Sequence, residues 1–269
     1  MDEAINVKTQ VLMNPDLNPV RPLPYHLRTG HYLPVEDSLV SQQVQNLVRY
    51  AEEHEMRINT NKTKMMLFNP SRTVDIQPEI VINDTEIDLI EKSKLLGVMI
   101  TSDLKWKENT DYITGRCYSR LWIIKRLKQL NCPAQELVDT YVKQVRSILE
   151  MACPVWHPSL TKADCKELER VQKSALAIIL GSSYSSYNSA LDFLDLESLE
   201  DRRDRLCLNF ALKCESDPKH SKWFLKSADG PSTRNKVTYK PVWTRTDRFR
   251  DSPIPYMTNL LNEYHKKKK

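Results

Sequence analysis

Met56-Arg57-Ile58-Asn59-Thr60-Asn61-Lys62-Thr63-Lys64-Met65-Met66-Leu67-Phe68, followed by Leu95-Leu96-Gly97-Val98-Met99-Ile100 and closed by Leu104-Lys105-Trp106, is the stretch whose reading decides the fold. Up to Trp106, apolar residues come in short runs separated by turn formers. Beyond it they recur every three to four residues. Short alternating runs mark strands, and a period of about 3.6 marks helices that bury one face. The change of period at Trp106 therefore predicts a small β-rich region followed by a helical one. Strands are expected at 64–68, 79–82, 86–89 and 94–101, with Asn83-Asp84 as a hairpin turn.

Working outward, Asp37 or Ser38 offers an N-cap, and Val40, Val44, Leu47, Val48 and Ala51 share a helical face, so residues 38–55 read as an amphipathic helix. Before it, Pro15, Pro19, Pro22, Pro24 and Pro34 punctuate residues 1–36, which read as an extended arm because Pro fixes φ and removes an N–H. Downstream, Ile113, Cys117, Leu121, Ile124 and Leu127 stripe a helix over 107–130. Pro133 opens a second helix, with Val138, Tyr141, Val142, Val145, Ile148, Leu149 and Ala152 inward, ended by Pro154 and Pro158. A third, over 162–180, turns Leu168, Val171, Ala175, Ile178 and Ile179 inward and stops at Gly181. A fourth, over 198–215, places Leu199, Leu206, Phe210 and Cys214 near one face.

Helices with one apolar stripe each bury them against one another. The expected fold class is α+β, mostly α. Residues 37–101 form a small β-rich part, 107–215 an antiparallel bundle able to fold by itself, and 216–269 an irregular basic tail. That tail includes a loop at Asp229-Gly230-Pro231-Ser232, an amphipathic piece from Tyr256 to Tyr264, and Lys266–Lys269.

Composition narrows the functional classes. Forty Lys and Arg against 35 Asp and Glu give a net charge of +5, and four of those positive charges are the terminal lysines, so the body is nearly neutral. Any attraction to nucleic acid then rests on how charge is distributed, not on its total. The start, Met1-Asp2-Glu3, lacks the features of a signal peptide, and no apolar run is long enough for a membrane span. The six Cys include no C-x-x-C pair. An intracellular protein of the nucleus or cytoplasm with reduced thiols is the expectation.

The Asn-x-x-Lys-Thr-Lys turn at Asn59–Lys64 runs into a strand, and a Leu-Gly-Val strand follows about thirty residues later. Ser147-Ile148-Leu149-Glu150-Met151-Ala152-Cys153-Pro154-Val155-Trp156 and Leu168-Glu169-Arg170-Val171-Gln172-Lys173-Ser174-Ala175 come further on. Together, over roughly residues 36–215, these segments resemble the end of the palm and the thumb of reverse transcriptases from non-LTR, LINE-type retrotransposons of the jockey and RTE kinds. The family's Tyr/Phe-x-Asp-Asp lies just upstream of the matched region. The resemblance thus implies a polymerase fragment without its catalytic carboxylates. The intact family uses Mg²⁺ held by those carboxylates; this chain has no Asp-Asp pair and is expected to carry no cofactor.

The resemblance also assigns roles. Lys62 and Lys64 correspond to the family's motif D, where a Lys lies near the incoming nucleotide's phosphates; a solvated turn lysine is the plainer reading. Leu96 and Gly97 resemble the primer-grip hairpin, or mark a bulge with a packing role only. In the first bundle helix Arg116, Arg120, Lys125, Arg126 and Lys128 flank the apolar stripe, with Tyr118 and Trp122 among them. Cations beside aromatics suit phosphate contacts and base stacking, and in the family the thumb meets the template–primer duplex. The expected partners are therefore RNA and DNA. The alternative is a non-enzymatic nucleic-acid or protein interaction module built from such a thumb.

Two further readings are weaker in content. Trp106–Leu130 resembles the helical N-terminal region of AlkB-homologue tRNA-modifying enzymes, but no His here is followed two residues later by Asp, as their iron site requires. Cys153-x-x-x-His157 with Cys165 suggests zinc only loosely, because Pro154 and Pro158 interrupt the ligand loop and the spacing fits no finger pattern. Cys117, Cys207 and Cys214 read as core residues.

Overall fold

A computed structural model describes residues 37–68, 80–227 and 238–268. The arm at 1–36, the first residue of the strand expected at 79–82, the inward position of Val40, the loop at Asp229–Ser232 and Lys269 lie outside the described residues or side chains. The fold is α+β and mostly α. It divides into two units, Met1–Lys105 and Trp106–Lys269.

In the first unit, helix α1 (Asp37–Glu53) ends close to where the sequence placed it. Val44, Leu47, Val48 and Ala51 of its apolar face pack with Met56, Ile58, Met65, Ile80, Ile82 and Ile87. Two separate hairpins follow. Strands β1 (Val81–Ile82) and β2 (Thr85–Glu86) pair through Val81 opposite Glu86. Asn83 and Asp84 in their turn both have positive φ, 48° and 56°. Strands β3 (Lys92–Leu95) and β4 (Val98–Thr101) pair from Lys92–Thr101 to Leu95–Val98.

The single strand expected over 94–101 is thus a hairpin. Leu96 (φ 47°) and Gly97 (φ 91°) form its two-residue turn, and two successive positive φ values match the right-handed twist of the flanking strands. Gly97 takes this conformation without strain; Leu96 does so at a steric cost that the hairpin offsets. The strand expected at 64–68 reduces to one parallel bridge, Met65 with Leu89. The strand expected at 86–89 ends at Glu86.

The second unit is helical. Helix α2 (Lys107–Gln129) buries Ile113, Cys117, Leu121 and Ile124 as its stripe predicts. Its broadest partner is α6 (Lys162–Leu180), which buries Leu168, Val171, Ala175, Leu176 and Ile179. A capping box between Thr161 and Asp164 starts α6. Each satisfies an N–H of the other, and such a cap contributes about 1 kcal/mol.

Helix α3 (Ala134–Tyr141) continues through a π turn at Val142–Arg146 into α4 (Ser147–Glu150). The break comes at Ala152, in the left-handed region with φ 52°, two residues before Pro154. Pro154 then lies within the first turn of α5 (Cys153–Trp156), where its missing N–H leaves no bond unmade. Helix α7 (Tyr187–Phe193), capped by Ser186, was not legible from periodicity because it is barely two turns long.

Helix α8 (Leu199–Ser216) corrects the expected stripe. Leu199, Arg203, Cys207, Ala211 and Cys214 are buried, whereas Leu206 is half-buried and Phe210 is exposed. Small Cys207 and Ala211 lie on the face that meets α5, α6 and α10, where larger side chains would hold the helices apart.

The tail is corrected as well. After a short turn α9 (Asp247–Arg250), it forms helix α10 (Pro253–Lys267), which packs on α8. Ala211 and Cys214 share a core with Phe224, Tyr239, Met257 and Leu261. A bundle cut at residue 215 would therefore lose part of its core.

Candidate nucleic-acid interface

Between Tyr112 and Gln135 the chain contains no Asp or Glu, and all five cations of that interval lie on α2. At about 100° per residue, Tyr118, Trp122, Lys125 and Gln129 fall within a narrow sector, with Arg126 at its edge. A separate side, about a third of a turn away, carries Ile113, Cys117, Leu121 and Ile124 into the core. Tyr118 is 46% exposed and Trp122 65%. Lys125 and Arg126 are exposed; Arg126 donates to Gln129 Oε1 at 3.0 Å, while no bond to another side chain is seen for Lys125 among the described residues.

The other three cations of the group turn elsewhere. Arg120 donates to the Gln144 side chain at 2.8 Å and its carbonyl at 3.3 Å. The π turn explains this: its altered hydrogen bonding presents carbonyls outward, and Cys117 reaches that of Val145 in the same way at 3.7 Å. Burial pushes the Cys117 thiol up to about 12, so it is a neutral core residue. Arg116 lies over the Tyr112 ring at 5.5 Å. Lys128 donates to the Ile179 carbonyl at the end of α6, a favourable place for a cation because the last carbonyls of a helix carry partial negative charge. At the start of α2, Lys107 bridges Asp111 at 2.5 Å and Glu167 of α6 at 2.9 Å.

The first unit holds the remaining residues singled out by the resemblance. Lys62 ends a 3₁₀ turn, Thr60–Lys62, and its own N–H donates to the Asn59 side chain at 3.2 Å. Lys64 pairs with Asp88, an exposed ion pair of at most about 1 kcal/mol. Leu96 stands at a hairpin tip, 84% exposed.

A buried polar network, not visible in the sequence, links α5, α8 and α10. Arg203 is fully buried, and its Nε donates to His157 Nδ1 at 3.1 Å. His157 Nε2 donates in turn to Asp204 Oδ1 at 2.6 Å, and the Tyr256 hydroxyl donates to the same oxygen at 2.6 Å. Burial raises the Asp204 pKa, but the hydrogen bonds from His157 and Tyr256, with the charge of Arg203, outweigh it and hold the carboxyl below its usual range.

The terminal nitrogens of Arg203 meet no acceptor among the described residues, and its charge bears on the thiols of Cys153 and Cys165. The Cys153 thiol is drawn down by a bond from Cys207 and by Arg203 and Arg202, against burial. Both ring nitrogens of His157 are thus engaged within this network. Among the described residues no cluster of three His, Cys, Asp or Glu is arranged for a metal ion, and no helix is long and apolar enough to cross a membrane.

Two further networks brace the helices. Glu150 accepts from Arg202 at 3.1 Å and pairs with Arg146 at 3.3 Å. Buried Gln172 of α6 accepts from Tyr141 and donates to the Tyr187 hydroxyl and the Glu197 carbonyl, each at 2.8 Å. Burial raises the Tyr141 pKa far above its usual value, so it is a neutral donor there.

No protein-family model matches the chain, and neither a curated protein nor a solved structure is detectably similar to it.

Proposed function

We propose that the Trp106–Lys269 unit is a nucleic-acid-binding module that contacts RNA or DNA through the exposed side of α2. The observation that carries this reading is the exposed set Tyr118, Trp122, Lys125 and Arg126 on a segment free of acidic side chains. Buried apolar side chains are the rule for large aromatics, and two exposed rings one turn apart beside two cations fit phosphate contact joined to stacking.

The sequence likeness of residues 36–215 to the palm end and thumb of LINE-type reverse transcriptases supports the same reading. In that setting the module is the template–primer-holding part of an RNA-directed DNA polymerase. Without an adjacent Asp pair to hold two Mg²⁺ ions, this chain transfers no nucleotide by itself.

Fluorescence anisotropy with labelled RNA and DNA tests the reading. The charge-reversed variant Lys125→Glu/Arg126→Glu should lose binding while keeping its melting temperature. Undiminished binding by that variant would contradict it.

A further inference from the structure

From the arrangement of α2 we infer that the strand it takes is unpaired, held by stacking of successive bases on Tyr118 and Trp122 with Lys125 and Arg126 on the phosphates. This rests on the nucleic-acid-binding reading above and specifies its substrate class; it departs from the template–primer setting that the sequence likeness implies, in which the ligand is a duplex.

The first argument is the balance of groups left at the surface. Of six cations on α2, Lys107 bridges Asp111 and Glu167, Arg116 lies on Tyr112, Arg120 is bonded to Gln144 and Lys128 to the Ile179 carbonyl. Lys125 and Arg126 are left as the exposed cations beside two exposed aromatic rings, while Arg116, Arg120 and Lys128 are half-buried on neutral partners. A duplex presents a dense row of phosphates and hides its base faces, so a duplex site needs many cations and has little use for exposed rings. An unpaired strand presents base faces to aromatic side chains, and stacking on them tolerates any sequence.

The second argument is spacing. Tyr118 and Trp122 are four residues apart on one helix, which sets them about 6 Å apart along its axis. Neighbouring bases in a duplex strand are about 3.4 Å apart. Rings at the wider spacing suit bases drawn out of their stack, one to each ring. Lys125 lies a further turn along the same sector, where the backbone of such a strand continues. The charge is also one-sided, because no carboxylate stands on α2 beyond Asp111 to repel a phosphate.

The test uses the full chain and three labelled probes: oligo(dT), oligo(rU), and an RNA–DNA hybrid closed as a blunt hairpin. Both unpaired probes should bind at least about tenfold more tightly than the hybrid. Trp122→Ala should weaken binding of the unpaired probes by about tenfold, the scale of one lost stacking contact, and leave the hybrid unchanged. Trp122→Phe should keep most of the affinity but lose the tryptophan quenching that binding produces. Both side chains are exposed, so melting should not move. Equal or tighter binding of the hybrid, or a preference for unpaired probes that survives Tyr118→Ala/Trp122→Ala, would overturn the inference while leaving nucleic-acid binding intact. Failure of all three probes to bind would instead overturn the underlying reading together with it.

Discussion

Helices α2 and α8 both carry several cations, yet the fold treats them in opposite ways. On α8, Arg202, Arg203 and Arg205 are interleaved with Glu200, Asp201 and Asp204. There Arg202 is paired with Glu150, Arg205 with Glu197, and Arg203 is buried against His157. On α2 beyond Asp111 there are cations and no acids, and Lys125 and Arg126 remain at the surface with two aromatic rings. A cation with acids or an accepting histidine nitrogen nearby can be drawn into the structure and fixed. Where acids are absent, Arg120 and Lys128 are held only by neutral acceptors, and Lys125 and Arg126 stay solvated with their charge available to a partner.

The contrast makes α8 the structural helix and α2 the interacting one, and it can be broken at several points. The largest effect should come from removing the cover of α8. A chain ending at Ser216 loses Phe224, Tyr239, Met257 and Leu261 from the core shared with Ala211 and Cys214. At roughly 1.5–3 kcal/mol for each large buried side chain, the loss rivals the whole stability of a domain. That fragment should show no cooperative melt by circular dichroism, whereas residues 106–269 should melt in a single transition.

Next in size is Arg203. Its replacement by Ala should destabilise the unit by about 3–5 kcal/mol in urea unfolding, because His157 and Asp204 are left without the group that orients them. Arg203→Met, which fills the space without a charge, should cost clearly less. Alanine at Lys125 or Arg126 of α2 should change stability by no more than about 0.5 kcal/mol. Similar costs at Arg203 and Lys125 would erase the distinction between the helices.

A smaller effect concerns acid. The pKa of Asp204 is lowered on folding, so its stabilising contribution is present above the unfolded value of about 3.9 and is lost as pH falls through the folded one. Asp204→Asn should therefore flatten the dependence of stability on pH below about 4, followed by urea unfolding at stepped pH. At neutral pH it should cost about 1 kcal/mol. An unchanged acid limb would mean that Asp204 is not held by His157 and Tyr256.

The long stripes were legible in the sequence because each repeats over several turns: Ile113, Cys117, Leu121 and Ile124 are buried on schedule. What escaped depended on contacts distant in sequence or on single backbone angles. Leu96 with φ 47° turns an apparent strand into a hairpin, and a leucine gives no local warning of that. The expected amphipathic piece from Tyr256 extends back to Pro253, because Pro253 and Pro255 both fall in the first turn of α10, where no N–H is needed.

The candidate site was legible as a composition and not as a geometry. Tyr118, Trp122, Lys125 and Arg126 belong to the expected patch, but nothing local says that Gln144 and the Ile179 carbonyl hold Arg120 and Lys128. Arg203 beside Arg202 looks like half of a surface pair; only packing of α5 and α10 distinguishes them.

The most direct measurement is the salt dependence of oligo(rU) binding in paired variants of α2. The intact chain should give a log–log slope of about −1.4, the value for two phosphate contacts on a single strand. Lys125→Ala/Arg126→Ala should bring the slope close to zero, and Arg116→Ala/Arg120→Ala should leave it as it was. A slope that instead follows Arg116 and Arg120, or that vanishes only when Lys266–Lys269 are removed, would contradict the assignment of binding to the exposed side of α2.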